Sequence, residues 1–332
     1  MTDQIQTAFL NKLEDIIPSY SSLAGELSDL LDISNDSAYR RIRGETKLSI
    51  EEVAVLCKHF NLSFDAFLNQ DLSSINFLYR PFNKNLEAFQ QHLDDLKKNL
   101  LLIKSSKNPK ITYACEDIPL FHNLSLPGIS AFKIFYWLKS IINIPEFADK
   151  KFDFSLLDHQ LIQSGQELFN LYSEIPSTEI WTDTTVESTV KQIRYYWSSG
   201  IFLNDEDALT ICRSLKDSIL GIQKMAELKS KQPGLPEFEN NYEFFFSDLE
   251  ITNNSVLVRI NGISQVFLGH LTFQTMATAN RRYCDETGQW LNNLISKSTL
   301  LSGVGEKIRN QFFKRSIGMI DDLISAIERG ED

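Results

Sequence analysis

Apolar residues recur with a helical period over most of this chain and switch to strict alternation only in short stretches of its C-terminal two thirds. Residues 1–15 are polar and already helical in period. Leu23, Leu27, Leu30 and Leu31 then keep the i, i+4, i+7, i+8 rhythm of an amphipathic helix, which predicts one short helix over Leu23–Asp32. Ile33-Ser34-Asn35 interrupts it. Ser34 or Asn35 offers a side-chain oxygen to cap a second helix over Asp36–Arg43, and Gly44 suits the left-handed turn that ends it. Ser49-Ile50-Glu51-Glu52 reads as the capping box of a third helix, with Ile50, Val53, Leu56, Cys57 and Phe60 on its inward stripe. Leu62–Leu68 reads as a short capped helix whose aromatics close this small core.

Further along, Leu86, Phe89, Leu93, Leu96, Leu100 and Ile103 follow the a/d rhythm of a coiled coil. The stripe suits a seam between two protomers or a helix packed on its own domain, and fewer than three heptads do not choose between them. After a polar break at Ser105–Lys110, Ile111–Cys115 reads as a short strand. Helical periods follow at about 128–143, 155–174, 184–198 and 204–229, the last ended by Gln232-Pro-Gly-Leu-Pro236. Tyr242–Thr252 and Ser255–Ile260 alternate, Asn261-Gly262 is a strong hairpin signal, and Ile263–Leu268 supplies the partner strand. Helices near 284–296 and 304–328 complete the chain. The expected architecture is mainly α: an all-α head at 1–75, a linker helix at 76–110 that either forms a dimerisation seam or packs on its own domain, and a mixed α+β domain at 111–332. That last domain is expected to hold a small antiparallel sheet, and the break near 235 offers a place where it could subdivide.

Composition adds limits to this picture. The 332 residues are 42% hydrophobic and 23% charged, ordinary globular values. The most apolar stretch, Ile129–Ile144, is cut by Lys133 and Lys139 and is too short for a bilayer span. With no secretory pattern at its start, the chain is expected to be cytoplasmic, with no membrane partner. Cys57, Cys115, Cys212 and Cys284 are far apart and form no CxxC, which points to reduced thiols rather than disulfides or zinc. The net charge of −11 weakens non-specific adhesion to polyanions. Residues 1–75 carry six basic against twelve acidic residues, a balance of −6, yet Arg40, Arg41, Arg43 and Lys47 fall together.

On a helical wheel Ala38 and Ile42 share one face of the second helix, and Asp36, Ser37, Arg40 and Arg43 point away from it. Short polar groups and arginines on that outward face are what major-groove reading needs, since an arginine reaches guanine O6 and N7 bidentately. Arg40 is the base-reading candidate. Arg43 and Lys47, near the helix end and its exit loop, suit phosphates, and Tyr39 and Arg41 flank the face, where they meet sugar-phosphate or solvent. With Asn35 at the helix start, the candidate DNA-binding set is Asn35, Asp36, Ser37, Tyr39, Arg40, Arg41, Arg43 and Lys47.

The segment LAGELSDLLDIS…SAYRRIRGETKLSIEEVAVLCKHFNLSFDAFL resembles the Xre or Cro/C1 type of helix-turn-helix domain, related to phage lambda repressor, in helix order, loop length and closing signature. The resemblance covers about 50 residues. It departs from the usual pattern at Ala24, often glutamine, at Asp32, often glycine, and at Arg41, often apolar. It implies a lambda-repressor-like fold and a sequence-specific transcription regulator that binds double-stranded DNA, usually as a homodimer. YACEDIPLFHNLSLPGISAFKIFYWLK together with WLNNLISKSTLLSGVGEKIRNQFF is similar to the C-terminal part of a group of bacterial helix-turn-helix proteins, which adds architecture only.

The second domain carries no GxxxxGK[ST], HExxH, GxSxG or GxGxxG, and its histidines are scattered. The expectation is therefore no enzyme and no cofactor. Lys297, Ser298, Thr299, Ser302 and Lys307 form a hydroxyl-rich, glycine-bearing stretch entering a helix, which suits an anionic small-molecule effector or, more plainly, a helix start capped by Ser302. Two other readings stand beside the regulator: a protein-docking module with no DNA partner, and an enzyme fused to a DNA-binding head.

Overall fold

The computed structural model describes residues 2–17, 21–60, 62, 64, 75–260, 263–272 and 274–331. They form two compact units, Met1–Leu78 with Thr278–Tyr283, and Tyr79–Ala277 with Cys284–Asp332.

The first unit is helical. Helix α1 (Thr2–Ile16) buries Phe9, Leu10 and Leu13 against α2 (Leu23–Leu31), α3 (Asn35–Ile42) and α4 (Ile50–His59), which contribute Leu23, Ala24, Leu27, Ala38 and Leu56. The caps form where hydroxyls precede apolar periods: Ser22 Oγ accepts from Gly25 N, Ser34 Oγ from Ser37 N, and Ser49 with Glu52 closes a reciprocal capping box. Asp32 ends α2 in the left-handed region at φ 51°, and Gly44 turns the chain after α3 at φ 76°. The expected inward stripe of α4 holds except at Ile50, which is 85% exposed. Side chains lean toward the N-terminus of their helix, so that of the first residue projects past the end of α4 and off the core. The expected helix at Leu62–Leu68 lies largely outside the described residues.

The second unit is α+β. Its seven-stranded sheet has the order β6-β5-β4-β1-β2-β3-β7, with β1 (Lys110–Ala114), β2 (Ser177–Trp181), β3 (Tyr242–Phe246), β4 (Ser255–Ile260), β5 (Ile263–His270), β6 (Gln274–Thr278) and β7 (Thr299–Leu300). Strands β1, β2 and β3 are parallel, while β4 runs antiparallel to β1, β5 to β4, and β7 to β3. Helices α5 (Leu86–Lys104), α6 (Leu120–Asn123), α7 (Pro127–Tyr136, continued by a π turn to Ile141), α8 (His159–Glu174), α9 (Thr184–Ser198), α10 (Asp205–Leu228), α11 (Arg281–Ser296) and α12 (Glu306–Arg329) fill the connections. No helix among the described residues is long and apolar enough to cross a membrane.

Several expectations have a different outcome in the structure. The sheet is mixed and large rather than small and antiparallel, because Ser177-Thr-Glu-Ile-Trp181 is a central parallel strand buried at every residue, a position that alternation does not reveal. Strand β3 stops at Phe246, where Ser247 Oγ accepts from Leu249 N at 3.1 Å and turns the chain. Of the two readings of helix α5, the one seen is a helix packed on its own domain: Phe89, Leu93, Leu100 and Ile103 are buried in the core of the second unit, where α5 lies along α8 with Lys97 paired to Glu167 and Lys104 to Glu174. The chain does not divide near 235, since residues 79–277 belong to one unit.

Candidate nucleic-acid interface

Ser34 caps α3 at its start, and fully buried Ala38 presses its middle onto α2. The turn between the two helices is locked by Ser28, whose carbonyl accepts from Ile33 N at 3.1 Å and whose Oγ donates to the Ile33 carbonyl at 2.6 Å. With its inner face fixed in this way, α3 presents Asn35, Asp36, Tyr39, Arg40 and the capping residue Arg43 as exposed side chains. Ser37 is half-buried, with its backbone N–H and hydroxyl both engaged by Ser34 Oγ. Lys47 is exposed on the loop that follows.

The three arginines separate into different duties. Arg40 is 58% exposed in its side chain and pairs with Asp36 one turn back at 3.1 Å. Arg43 holds Glu45 in a fork, Nε to Oε1 at 2.7 Å and Nη2 to Oε2 at 3.2 Å, again in solvent. Arg41 is only 14% exposed: its guanidinium forks onto Glu52 of α4, at 3.2 Å and 2.6 Å, and Nη1 donates to the Ser37 carbonyl. The hydrogen bonds from Arg41 hold the Glu52 carboxyl below its usual range. Arg41 thus joins α3 to α4 and leaves the outward face to Arg40 and Arg43, so it drops out of the DNA-contacting set.

One positioning residue was not legible in the pattern. Gln6 of α1 reaches the loop between α3 and α4 with both ends of its amide, Nε2 donating to the carbonyls of Arg41 and Thr46 at 2.9 Å each and Oε1 accepting from Leu48 N at 3.0 Å. It fixes the loop that carries Arg43, Glu45 and Lys47. Nothing in the sequence near residue 6 announces a partner more than 30 positions away.

The stretch proposed to cradle an anion does not assemble as one. Ser302 is buried, its Oγ accepting from Phe244 N at 3.2 Å, and so extends the edge of β3 instead of capping a helix. Thr299 lies in β7, Ser298 Oγ donates to the Leu294 carbonyl, and Lys297 and Lys307 are exposed. The loop carbonyls of Leu301 and Gly303 are met by buried Arg309, and α12 begins after Gly305 with no side-chain cap. The expected ligand set of Lys297, Ser298, Thr299, Ser302 and Lys307 is therefore not assembled, because the Ser298 and Ser302 hydroxyls are taken by backbone groups of the fold.

The densest polar centre is elsewhere, and the sequence did not show it. Glu179, in the middle of β2 and fully buried, accepts four bonds: from His122 Nε2 at 2.8 Å and Tyr172 Oη at 2.5 Å on one oxygen, from Trp181 Nε1 at 2.8 Å and Tyr242 Oη at 3.0 Å on the other. Burial alone would raise its pKa, but His122, Tyr172 and Lys231 outweigh this and keep it below the ordinary carboxylate range. Every lone pair has a donor, so this carboxylate is held as structure and is not presented as a base. Among the described residues no group of three or more His, Cys, Asp and Glu is placed to hold a metal, and all four cysteines are free thiols.

Compared with protein-family models, with curated proteins and with solved structures, the chain matches none.

Proposed function

We infer that the first unit binds duplex DNA through α3, and that the chain acts as a dimeric, sequence-specific transcription regulator in the cytoplasm whose second unit senses a signal or pairs protomers. The observation that carries this reading is the outward face of α3, where Arg40 and Arg43 stand exposed on a helix locked from behind by Ala38, Arg41 and the Ser28 turn. Their present partners, Asp36 and Glu45, are no obstacle: exposed ion pairs contribute about 0–1 kcal/mol and exchange readily for a base edge or a phosphate. Arg40 then reads a guanine, Asp36 beside it accepts from a cytosine N4, and Arg43 with Lys47 holds the backbone. Two heads on two half-sites supply the affinity that one short helix on an acidic unit lacks.

The test is binding to a duplex selected from a random pool. Arg40→Ala should relax preference at one base pair at a cost of about 1–3 kcal/mol, and Arg43→Ala should weaken all sequences alike. If both variants bind as the wild type does, the groove assignment fails. A protein-docking role is favoured by a different observation, the exposure of Ile50 and Val55 on α4 and Tyr39 on α3. In that case Ile50→Asp abolishes association with a protein partner while the arginine variants leave it intact.

A further inference from the structure

The second unit contains a cleft that the DNA reading does not use. It lies between the β1–β4 strand pair and α11 and encloses about 80 Å3. Leu257 of β4 with Leu291 and Ile295 of α11 forms an apolar wall, Gly288 keeps the helix side of the floor free of a side chain, and Lys110, Arg259 and Asn292 stand exposed around it. Lys110 and Arg259 are direct cross-strand partners, so both side chains rise from the same face of the sheet.

The two cations at this cleft differ in their partners. Several arginines of the molecule, Arg41, Arg80, Arg213 and Arg315 among them, hold a carboxylate. Lys110 pairs with Glu243 at 3.1 Å. Among the described residues the Arg259 guanidinium and the Asn292 amide have no such partner. In a chain of net charge −11, an unpaired guanidinium at the edge of an apolar slot is a local site for an anion, and its fork matches the two oxygens of a carboxylate.

We propose that this cleft binds a small organic carboxylate, with the carboxylate on Arg259 and Asn292 and a short aliphatic body against Leu257, Leu291 and Ile295. At roughly 10–15 Å3 of such space for each water-sized group, the cleft takes a molecule of roughly five to eight non-hydrogen atoms. A nucleotide or a long acyl chain would not be held whole within it. A methyl group added at Gly288 would lie in ordinary contact with Leu257 Cδ2, at 3.5 Å, and so would fill part of the space that the glycine leaves open.

Pentanoate is the probe, titrated by calorimetry into the whole protein without DNA, so that the outcome is independent of the DNA reading. The expected result is saturable millimolar binding to the wild type, no binding of the neutral pentanamide, and a loss of about tenfold or more in Arg259→Ala and Arg259→Gln. The Arg259 side chain is exposed, so both variants keep the fold, which circular dichroism verifies. Absence of saturable pentanoate binding by the wild type, equal binding of pentanamide, or undiminished binding by both Arg259 variants overturns the proposal.

Discussion

Arg40 and Arg41 are adjacent in sequence, and the roughly 100° that one residue turns about a helix axis places one in solvent and the other against α4. Their variants should therefore part company. Arg41→Ala leaves Glu52 half-buried without its fork and is expected to lower the stability of the first unit by about 1–3 kcal/mol, whereas Arg40→Ala stays within about 0.5 kcal/mol, both read by chemical denaturation. A second residue-scale expectation concerns acid. Burial pushes His92 of α5 down to about 4, below the ordinary value near 6.5. The unfolded chain takes up a proton before the folded one does, so stability is full above about pH 6.5 and falls as the pH drops from there toward 4. In His92→Gln this part of the acid slope should disappear, and an unchanged slope would show that burial of His92 is not its source.

At the scale of elements, the sequence announced most helices and the hairpin but not the centre of the sheet. The starts of α3 and α4 were legible because Ser34 and Ser49 are local signals, each acting on a backbone N–H three residues on; Ser22 and Asn85 cap α2 and α5 in the same way, but were not singled out in the sequence. The hairpin of β4 and β5 was legible from alternation on either side of Asn261-Gly262, and its register, Ile260 opposite Ile263, leaves room for that pair alone. Strand β2 was hidden because its Ser177, Thr178 and Glu179 are satisfied by distant groups, and no rule of spacing joins Glu179 to His122 or Tyr242. The a/d stripe of α5 was read correctly as apolar, but a stripe does not say whether its partner is in the same chain. Leu93→Ala or Leu100→Ala is expected to destabilise the second unit by about 2–5 kcal/mol without changing the oligomeric state, measured by denaturation and sedimentation. A variant that instead dissociates a dimer at unchanged protomer stability would restore the seam.

At the scale of the molecule, an acidic chain with a few exposed cations on one helix should bind DNA with a shallow dependence on salt. With Arg43 and Lys47 as the phosphate contacts of each head, log K against log salt should slope at about −2 per head and about −4 for a pair, a loss of about a hundredfold between about 50 and 200 mM. A slope near zero favours protein docking. The second unit carries a device of another kind in β2. The donors to Glu179 come from α6, α8, β2 itself and β3, segments spread over some 120 positions of the chain. Because successive residues of a strand face opposite sides, a slip of β2 by one position would swing the carboxylate away from all the donors outside the strand and strand a charge in the interior. The sheet thus proofreads its own alignment: misthreaded arrangements that look adequate to the hydrophobic residues are rejected by a single misplaced anion.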